Sequence, residues 1–224
     1  MQVVPPQELL GPLNDVERRH APRLFWCVGD LSLAQRGARV SVVGTRTVTE
    51  DGRRRTRKLV RYLVDRGVTV VSGLAAGVDA EAHTTTLTLG GRTIAVIGTG
   101  VDVVYPKENR ALQERIALEQ LLISQFTPGS PVNKRQFPQR NRTMALISHA
   151  TVIVEANDGS GTLSQAWEAL RLGRPLFVLK SVVDDPRLTW PREVLAYGAV
   201  VLSDPDQLLP ALPEGDDAPA SLLF

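Results

Sequence analysis

Four turns rich in glycine, serine and threonine carry the residue types in this sequence that are best suited to holding an anion. Small residues let backbone N–H groups approach a phosphate closely, and a helix that begins behind such a turn adds a partial positive charge. A single turn of this kind usually reflects tight packing alone, whereas four at one edge of a sheet indicate a phosphate-binding crevice. The candidate residues are Gly44, Thr45, Arg46, Ser72, Gly73, Gly77, Gly98, Gly100, Gly159, Ser160, Gly161 and Thr162.

A Pro-rich basic stretch, residues 128–142 (PGSPVNKRQFPQRNR), is the second candidate for anion chemistry. Its prolines predict an extended loop, which gives way to a helix at Gln139. Guanidinium groups pair with phosphates and an aromatic ring offers a stacking face, so cations around one aromatic residue suit a nucleic-acid strand. The alternative is a solvated basic loop with Phe137 in the core. The candidates here are Lys134, Arg135, Phe137, Arg140, Asn141 and Arg142.

Five further features have a structural explanation that competes with a functional one. The basic residues of segment 53–61 gather on one face of a predicted helix, which favours a solvated surface over phosphate contact. Asp79 fits a helix cap, and His83 fits a structural hydrogen bond to the backbone. Glu155 ends a strand before a Gly-rich turn, where its partner is either a ligand or a neighbouring loop. Trp167 lies at core spacing in a predicted helix, which favours packing.

The overall composition excludes several classes of protein. Apolar residues make up 43% and charged residues 22% of the chain, which is typical of a globular domain. The 26 Lys and Arg residues against 24 Asp and Glu give a net charge of +2, so any nucleic-acid contact must come from local clusters. One cysteine, Cys27, and three dispersed histidines predict neither a disulfide nor a metal site. The sequence has no long apolar run and no signal pattern, which predicts a cytoplasmic protein without membrane attachment.

Short apolar runs alternate with helical segments from residue 39 onwards. Nearly continuous apolar runs are typical of strands covered on both faces, and their alternation with helices predicts right-handed crossovers. The predicted strands are residues 39–44, 68–72, 93–97, 121–124, 151–155, 175–179 and 199–202, and the predicted helices are residues 52–66, 78–89, 107–117, 139–148, 162–172 and 190–196. The predicted fold class is α/β, an extended Rossmann-like parallel sheet of about seven strands with helices on both faces.

The sequence divides into three predicted segments. Residues 1–37 form an N-terminal extension with a short helix near residues 15–20, and residues 38–204 form the Rossmann-like domain. Residues 205–224 form a short helix and a flexible tail, which is rich in Pro, Ala and Asp over residues 213–219. The turns lack the GxGxxG spacing of dinucleotide-binding folds and the GKT or GKS of Walker sites. A dehydrogenase, an ATPase and a bound cofactor are therefore not expected.

In their order and spacing, these motifs resemble those of the DNA-processing protein A family (DprA/Smf), within the SLOG group of Rossmann-like nucleotide-binding proteins. They are VSVVGTR at residues 40–46, VVSGLAAGVDAEAH at 70–83, TIAVIGTGVDVVYPKEN at 93–109, LISQFTPGSP at 122–131, FPQRNR at 137–142 and VIVEANDGSGTL at 152–163. The resemblance implies that Arg46 and residues 134–142 contact single-stranded DNA, with the Gly-rich turns supplying backbone amides. It also implies a homodimer and the loading of a RecA-type recombinase in natural transformation.

The chain departs from that family in two respects. The family often carries an N-terminal helical domain and a C-terminal winged helix, and both are expected to be missing or vestigial here. After Gly161 the family has a Ser-Leu-Ile-Thr-like run, whereas this chain has Thr-Leu-Ser-Gln. The Gly-Ser-Gly-Thr run also resembles the PGGxGTxxE signature of the LOG phosphoribohydrolases in the same superfamily. Those enzymes would place a catalytic glutamate at Gln165, but a neutral amide cannot act as a general base, and Glu168 is poorly placed to substitute.

Three functions follow from these observations. The favoured one is a non-catalytic, DprA-like protein that binds single-stranded DNA in DNA processing and recombination. The second is a SLOG-type nucleotide sensor in stress or anti-phage defence, which would hold a small nucleotide in the same crevice. A LOG-like nucleoside-monophosphate phosphoribohydrolase is the least favoured, because of Gln165.

Overall fold

The computed structural model describes residues 1–213 of the 224-residue chain. Within them, one sheet holds β1 (Gln2–Val4), β2 (Phe25–Gly29), β3 (Arg39–Gly44), β4 (Thr69–Ser72), β5 (Thr93–Ile97), β6 (Leu121–Ser124), β7 (Ala150–Glu155), β8 (Leu176–Leu179) and β9 (Val200–Leu202). The helices are α1 (Pro6–Leu10), α2 (Asp15–His20), α3 (Ser32–Gln35), α4 (Glu50–Asp65), α5 (Val78–Thr88), α6 (Arg110–Glu119), α7 (Gln136–Ile147), α8 (Thr162–Arg171), α9 (Lys180–Val183) and α10 (Trp190–Ala196). Short 3-10 helices cover Lys107–Asn109 and Pro205–Ala211.

The order of the strands places β3 where the chain reverses its direction across the sheet. The order is β1-β2-β6-β5-β4-β3-β7-β8-β9, so β4, β5 and β6 follow on one side of β3 and β7 returns to pair with its other side. Each strand from β6 through β5, β4, β3, β7 and β8 to β9 is parallel to its neighbour in this order. The carboxyl ends of β3 and β7 therefore meet at one edge of the sheet. In open α/β sheets, ligands bind outside the strand ends at such a reversal.

The seven predicted strands are β3 to β9, and the α/β, Rossmann-like class is confirmed. Burial on both faces explains why these strands are almost wholly apolar. In β3, for example, Val40 and Val42 pack into a core beneath α4 and α5, whereas Val43 packs into the core on the opposite face with Met144 of α7. Strands of this kind are visible in the sequence because every position is covered by a helix.

Two strands of the sheet come from the N-terminal segment and were not predicted. β2 pairs antiparallel with β6 and with β1, and its Phe25 and Cys27 side chains are buried in the core. The predicted helix near residues 15–20 is α2, in which Glu17 forms an ion pair with Arg174 before β8. Residues 1–37 therefore contribute to the same sheet and core as the rest of the described chain. The division into three segments stays a prediction, and residues 214–224 of the predicted tail lie outside the described residues.

Helix α7 begins at Gln136, three residues before the predicted start at Gln139. Pro138 occupies the third position of this helix. A proline in the first turn costs little, because the N–H groups of that turn have no acceptor within the helix. The prediction of an extended chain as far as Pro138 was therefore wrong, and Phe137, Arg140 and Arg142 lie on a helix.

Candidate functional site

A crevice opens at the carboxyl ends of β3 and β7, between α7 and α8. Its volume of ≈ 510 Å³ lies in the usual range of small-molecule pockets, about 300–1,000 Å³. The predicted candidates that line it are Gly44, Thr45, Arg46, Phe137, Arg140, Asn141, Gly159, Ser160, Gly161 and Thr162. Gly73 and Gly98 line a smaller adjoining cavity of ≈ 150 Å³. The candidates that line neither are Ser72, Gly77, Gly100, Lys134, Arg135 and Arg142.

The turn after β3 is fixed by β7 on one side and by α5 on the other. Thr45 N donates to Glu155 O at 2.7 Å, and Val78 N donates to Thr45 O at 3.2 Å. A Cβ atom on Gly44 would lie 2.5 Å from Val78 Cγ2, so only glycine fits between the strand and the helix without a shift. This close packing brings Arg46, two residues later, to the rim of the crevice.

Arg46 and Phe137 form the rim where the crevice meets the adjoining cavity. The Arg46 side chain is exposed, its Cζ lies 5.6 Å from the centroid of the Phe137 ring, and it has no ion pair with any residue in 1–213. The Phe137 ring is half-buried, rests against Gly98 and lies 5.3 Å from the ring of Tyr105. Phe137 is therefore part of the crevice wall, and the alternative in which it fills the core does not describe its position.

Arg140 is buried beneath this rim and braces two strands. Its Nη1 donates to Gly73 O and to Val96 O, the latter at 2.8 Å, and its Nε donates to Asn141 Oδ1 at 3.1 Å. Burial lowers the pKa of the Arg140 guanidinium, and the charge of Asp79 opposes this shift. Nη2 of Arg140 has no acceptor among residues 1–213, so one edge of this cation is left for a ligand in the crevice.

The turn between β7 and α8 forms the other rim. Gly159 adopts a left-handed conformation (φ 75°), and Ser160 Oγ accepts from Thr162 N at 3.2 Å. Asp158 accepts from Thr189 N and Trp190 N at the start of α10, which anchors the turn. The first three N–H groups of α8, at Thr162, Leu163 and Ser164, have acceptors at Ser160 and Gly161. A Cβ on Gly161 would meet no atom of residues 1–213 within 4 Å. The open space beside Gly161 and the positive end of the α8 dipole suit an anion.

The remaining cations of the basic stretch lie away from the crevice lining. Lys134 and Arg135 are exposed in the turn before α7. Arg142 points to α8, where its Nε donates to Glu168 Oε2 at 3.1 Å and its Nη2 to Glu168 Oε1 at 3.3 Å. The structure therefore separates this stretch into crevice residues, exposed cations and one cation that joins two helices.

Asp79 and His83 on α5 have structural partners. Asp79 Oδ2 accepts from Gly73 N at 3.1 Å and Ala75 N at 3.4 Å, which closes the turn after β4. Burial raises the pKa of Asp79, and the Arg140 charge opposes this shift. His83 Nδ1 lies 2.7 Å from Thr93 Oγ1. Burial lowers the pKa of His83 to about 3, so the imidazole is neutral at physiological pH.

Glu155, Trp167 and the basic face of α4 also have partners within the chain, which explains their positions without a ligand. Glu155 accepts from Thr49 N at 3.0 Å and from Thr49 Oγ1 at 2.6 Å, at the entry to α4. Trp167 is half-buried and makes an edge contact with Tyr197 at 5.2 Å. On α4, Arg57 forms an ion pair with Glu81 at 2.6 Å. Partners on α5 and in the first turn of α4 thus occupy much of this basic helix face.

Gln165 lies in the crevice lining, and Glu168 does not. Gln165 is 1% exposed, and its Nε2 lies 3.5 Å from Thr151 Oγ1. The Glu168 carboxylate is shared between Arg142 and Arg171, at 3.1 Å and 2.9 Å. A carboxylate held by two guanidinium groups is a poor general base, and it faces away from the crevice.

Several lining residues were missed from the sequence. Asn157, Ser164 and Met144 all line the crevice. Asn157 shares a turn with the predicted Gly159. Met144 follows Arg140 by one helical turn and therefore shares its face, a spacing that could have indicated it.

Two kinds of feature are absent from residues 1–213, a metal site and a membrane-spanning helix. No group of three or more His, Cys, Asp or Glu side chains there is arranged to hold a metal ion. Over the same residues, no helix is both long enough and apolar enough to cross a bilayer.

The sequence matches a known family over most of its length. A family model described as DNA recombination-mediator protein A matches residues 7–213. The chain belongs to this family. It is 44% identical over 173 residues to Protein Smf of Synechocystis sp., covering 77% of this chain and 44% of that protein. It is 32% identical over 193 residues to the DNA processing protein DprA of Bacillus subtilis, covering 86% of this chain and 65% of that protein. The chain therefore spans about half to two thirds of the length of these relatives.

Solved structures of DprA proteins share the fold. DprA of Streptococcus pneumoniae superposes with a TM-score of 0.81 at 31% identity, over 95% of this chain and 75% of that one. DprA of Helicobacter pylori, described for its single-stranded DNA binding mode, superposes with a TM-score of 0.78 at 29% identity, over 94% and 93% of the two chains. A molybdenum cofactor binding protein of Rippkaea orientalis, at a TM-score of 0.55 and 19% identity, shares the fold alone.

Proposed function

We propose that this member of the DprA family binds single-stranded DNA along the crevice at the ends of β3 and β7, without catalysing a reaction. The observation that carries the proposal is the exposed Arg46, which has no ion pair within residues 1–213 and lies beside the Phe137 ring at the mouth of a crevice lined by glycine turns. A guanidinium and an aromatic face side by side match the alternating phosphates and bases of a single strand. The likeness to the Helicobacter pylori protein supports the same ligand.

The crevice offers three kinds of phosphate contact. Arg46 supplies an exposed charge, and Nη2 of Arg140 supplies a buried donor held in place by Gly73 and Val96. The turn at Gly159–Thr162 places the positive end of the α8 dipole at the crevice, beside the open space at Gly161. We expect Lys134 and Arg135, exposed before α7, to add screened, long-range attraction rather than fixed contacts.

Two features of α8 support a non-catalytic role. The crevice presents the Gln165 amide where the LOG hydrolases would place a carboxylate, and an amide cannot accept a proton at neutral pH. The nearest glutamate along the helix, Glu168, is paired with Arg142 and Arg171. A ligand would therefore be held and released unchanged.

The wider role that we propose is DNA processing and recombination in the cytoplasm, with a RecA-type recombinase as partner and with the chain acting as a homodimer. Membership of the DNA recombination-mediator protein A family supports the process and a recombinase as its partner. For the dimer, β9 is an edge strand with Val200 exposed, next to the exposed Tyr197. Edge strands with apolar side chains favour pairing with a second chain.

Fluorescence anisotropy with labelled oligo(dT) tests DNA binding. We expect binding at low salt, and a loss of about tenfold or more in Arg46→Ala, because a charge-assisted hydrogen bond is removed. The plot of the logarithm of the association constant against the logarithm of the salt concentration has a negative slope. This slope should become less steep by about 0.7 in Arg46→Ala, because one phosphate contact is lost. The matched control is Arg115→Ala, which removes one exposed positive charge from α6, outside the crevice lining.

Two results would contradict the proposal. The first is no binding of oligo(dT) at low salt, and the second is an equal effect of Arg46→Ala and Arg115→Ala. Thermal stabilisation by a mononucleotide, without any by the oligonucleotide, would instead indicate the nucleotide-sensing alternative.

A further inference from the structure

A separate cavity opens at the carboxyl ends of β8 and β9, beside α4, and we call it the α4 cavity. Its volume is ≈ 190 Å³, and it shares no lining residue with the crevice. Leu179 and Leu202, the last residues of the two strands, line it together with Leu59 of α4 and form an apolar floor. The cations that line it are Arg55, Lys58 and Lys180.

The basic face of α4 divides between two sides of the helix. Arg53 and Arg57 turn to Glu81 of α5, at 3.1 Å and 2.6 Å. Arg55 and Lys58 are three residues apart, share a different side of the helix and line the α4 cavity. Lys58 is exposed and has no ion pair with any residue in 1–213. The ion pairs to α5 therefore leave the position of Lys58 unexplained.

The carboxylates near the α4 cavity neutralise its cations only weakly. Arg55 lies 3.9 Å from Asp51, and Lys180 lies 2.8 Å from Asp184. All four of these side chains are at least one third exposed, and ion pairs of this kind are weak and screened by salt. No acidic residue among 1–213 lines the cavity itself. The cavity therefore presents a local excess of positive charge that suits an anion.

The crevice and the α4 cavity lie along one edge of the sheet. β3, β7, β8 and β9 are consecutive parallel strands, so their carboxyl ends follow one another along this edge. The step from the β3–β7 pair to the β8–β9 pair is two strand spacings, or about 10 Å. A nucleic-acid strand carries one phosphate per nucleotide, so a strand that leaves the crevice along this edge covers the step within about three nucleotides.

We propose that the α4 cavity binds a backbone phosphate of the DNA strand that occupies the crevice. The inference rests on the proposed binding of single-stranded DNA and extends its path along the sheet edge towards β9. Lys58 and Arg55 pair with the phosphate oxygens, while the leucines of the floor pack against the neighbouring sugar. The volume of ≈ 190 Å³ is below the usual range of pockets for whole small molecules, about 300–1,000 Å³, and suits a phosphate with part of its sugar.

The test compares a ligand that can reach both cavities with one that can reach only one. Oligo(dT) of about twelve nucleotides lies within the range of single-strand sites and is long enough for both. A thymidine dinucleotide with a 5′-phosphate is too short, because its two phosphates lie closer together than two strand spacings. Fluorescence anisotropy measures the affinity for the labelled long oligonucleotide, and competition against it measures the affinity for the dinucleotide.

Lys58→Ala should weaken binding of the long oligonucleotide by about threefold to fivefold, the effect of one exposed ion pair. The negative slope of the logarithm of its association constant against the logarithm of the salt concentration should become less steep by about 0.7. The affinity for the dinucleotide should stay as in the wild-type protein. Arg46→Ala, in contrast, should weaken binding of both ligands.

Two further variants serve as a repeat and as a control. Lys180→Ala removes a second cation from the α4 cavity and should reproduce the pattern of Lys58→Ala. Arg115→Ala removes an exposed cation outside both cavities and should leave both affinities unchanged. Thermal melting checks that each variant is folded, which we expect because Lys58 and Lys180 are exposed.

Each outcome separates this inference from the proposed function. If the wild-type protein does not bind the long oligonucleotide at low salt, both proposals are wrong. If Lys58→Ala behaves like Arg115→Ala, or weakens the dinucleotide as much as the long oligonucleotide, the second phosphate subsite is wrong and DNA binding at the crevice stands. Thermal stabilisation by inorganic phosphate that Lys58→Ala abolishes, with unchanged affinity for the long oligonucleotide, would assign the α4 cavity to a free anion instead.

Discussion

Gly44 and Gly161 show how two glycines in one crevice serve different purposes. At Gly44, a Cβ atom would lie 2.5 Å from Val78 Cγ2 and 2.7 Å from Glu155 O. At Gly161, a Cβ atom would meet nothing within 4 Å, and the backbone is already helical (φ −58°). The first glycine is needed for packing, and the second leaves space on the side where an anion would approach.

We therefore predict opposite effects of alanine at these positions on stability. Gly44→Ala should lower the free energy of unfolding by about 1–3 kcal/mol, the usual cost of overpacking a core. Gly161→Ala should be neutral or stabilising by up to about 1 kcal/mol, because it restricts the unfolded chain. It should nevertheless weaken oligo(dT) binding, since the methyl group fills the approach to the turn. Urea unfolding of both variants measures the difference, and equal midpoints would contradict this account.

At the scale of elements, α7 and α8 form the two walls of the crevice and are joined by the Glu168 carboxylate. Arg142 of α7 and Arg171 of α8 both bond to it, and Glu168 is itself buried. Asn141 Nδ2 adds a hydrogen bond to Gly161 O at 3.2 Å. These contacts hold α7 against the turn at Gly159–Thr162, so the spacing of the two walls depends on Glu168, a residue outside the lining.

Glu168→Gln should lower the free energy of unfolding by about 1–2 kcal/mol, because the three hydrogen bonds from Arg142 and Arg171 lose their anionic acceptor and the amide NH2 cannot accept from a guanidinium. The matched control is Glu114→Gln, which removes an exposed pair with Arg110 on α6 and should change stability by less than about 0.5 kcal/mol. Chemical denaturation of the two variants checks the prediction. A control that is as destabilised as Glu168→Gln would show that burial of this pair is unimportant.

For the whole molecule, two histidines link the fold to pH. Burial lowers the pKa of His83 to about 3 and is also the main cause that lowers the pKa of His149 to about 4. Their ordinary pKa of about 6.5 applies to the unfolded chain. As the pH falls below about 6.5, the unfolded chain therefore binds more protons than the folded one, and stability decreases.

We predict that the free energy of unfolding falls between about pH 7 and pH 5, by at most about 1.4 kcal/mol per pH unit for each histidine. Denaturant titrations at several pH values measure how steeply the free energy of unfolding changes with pH. His83→Gln should make this change less steep, even if the variant also differs in stability at neutral pH. A wild-type stability that does not vary over this range would contradict the prediction.

Much of the fold could be predicted from local sequence. The strands β3 to β9 are runs of buried residues, and Gly-rich turns follow β3, β4, β5 and β7 along the chain. Parallel strands necessarily bring such turns to one edge, so the crevice at Gly44 and Gly159 followed from the sequence without knowledge of any contact. The N-terminal strands β1 and β2 were missed, because they precede the regular alternation of strands and helices and pair antiparallel with one another and with β6.

The tertiary structure alone decided which polar side chains face the crevice. Arg140 and Arg142 are two residues apart in one basic stretch, yet one braces β4 and β5 beneath the crevice and the other pairs with Glu168 on α8. The partner of a long side chain depends on which element packs across from it, and that is a non-local property. The sequence by itself determined a sheet edge formed by Gly-rich turns and the absence of a carboxylate at Gln165. Only the packing of α7 and α8 revealed that the oxygen of the Gln165 amide is buried there with no hydrogen-bond partner among residues 1–213.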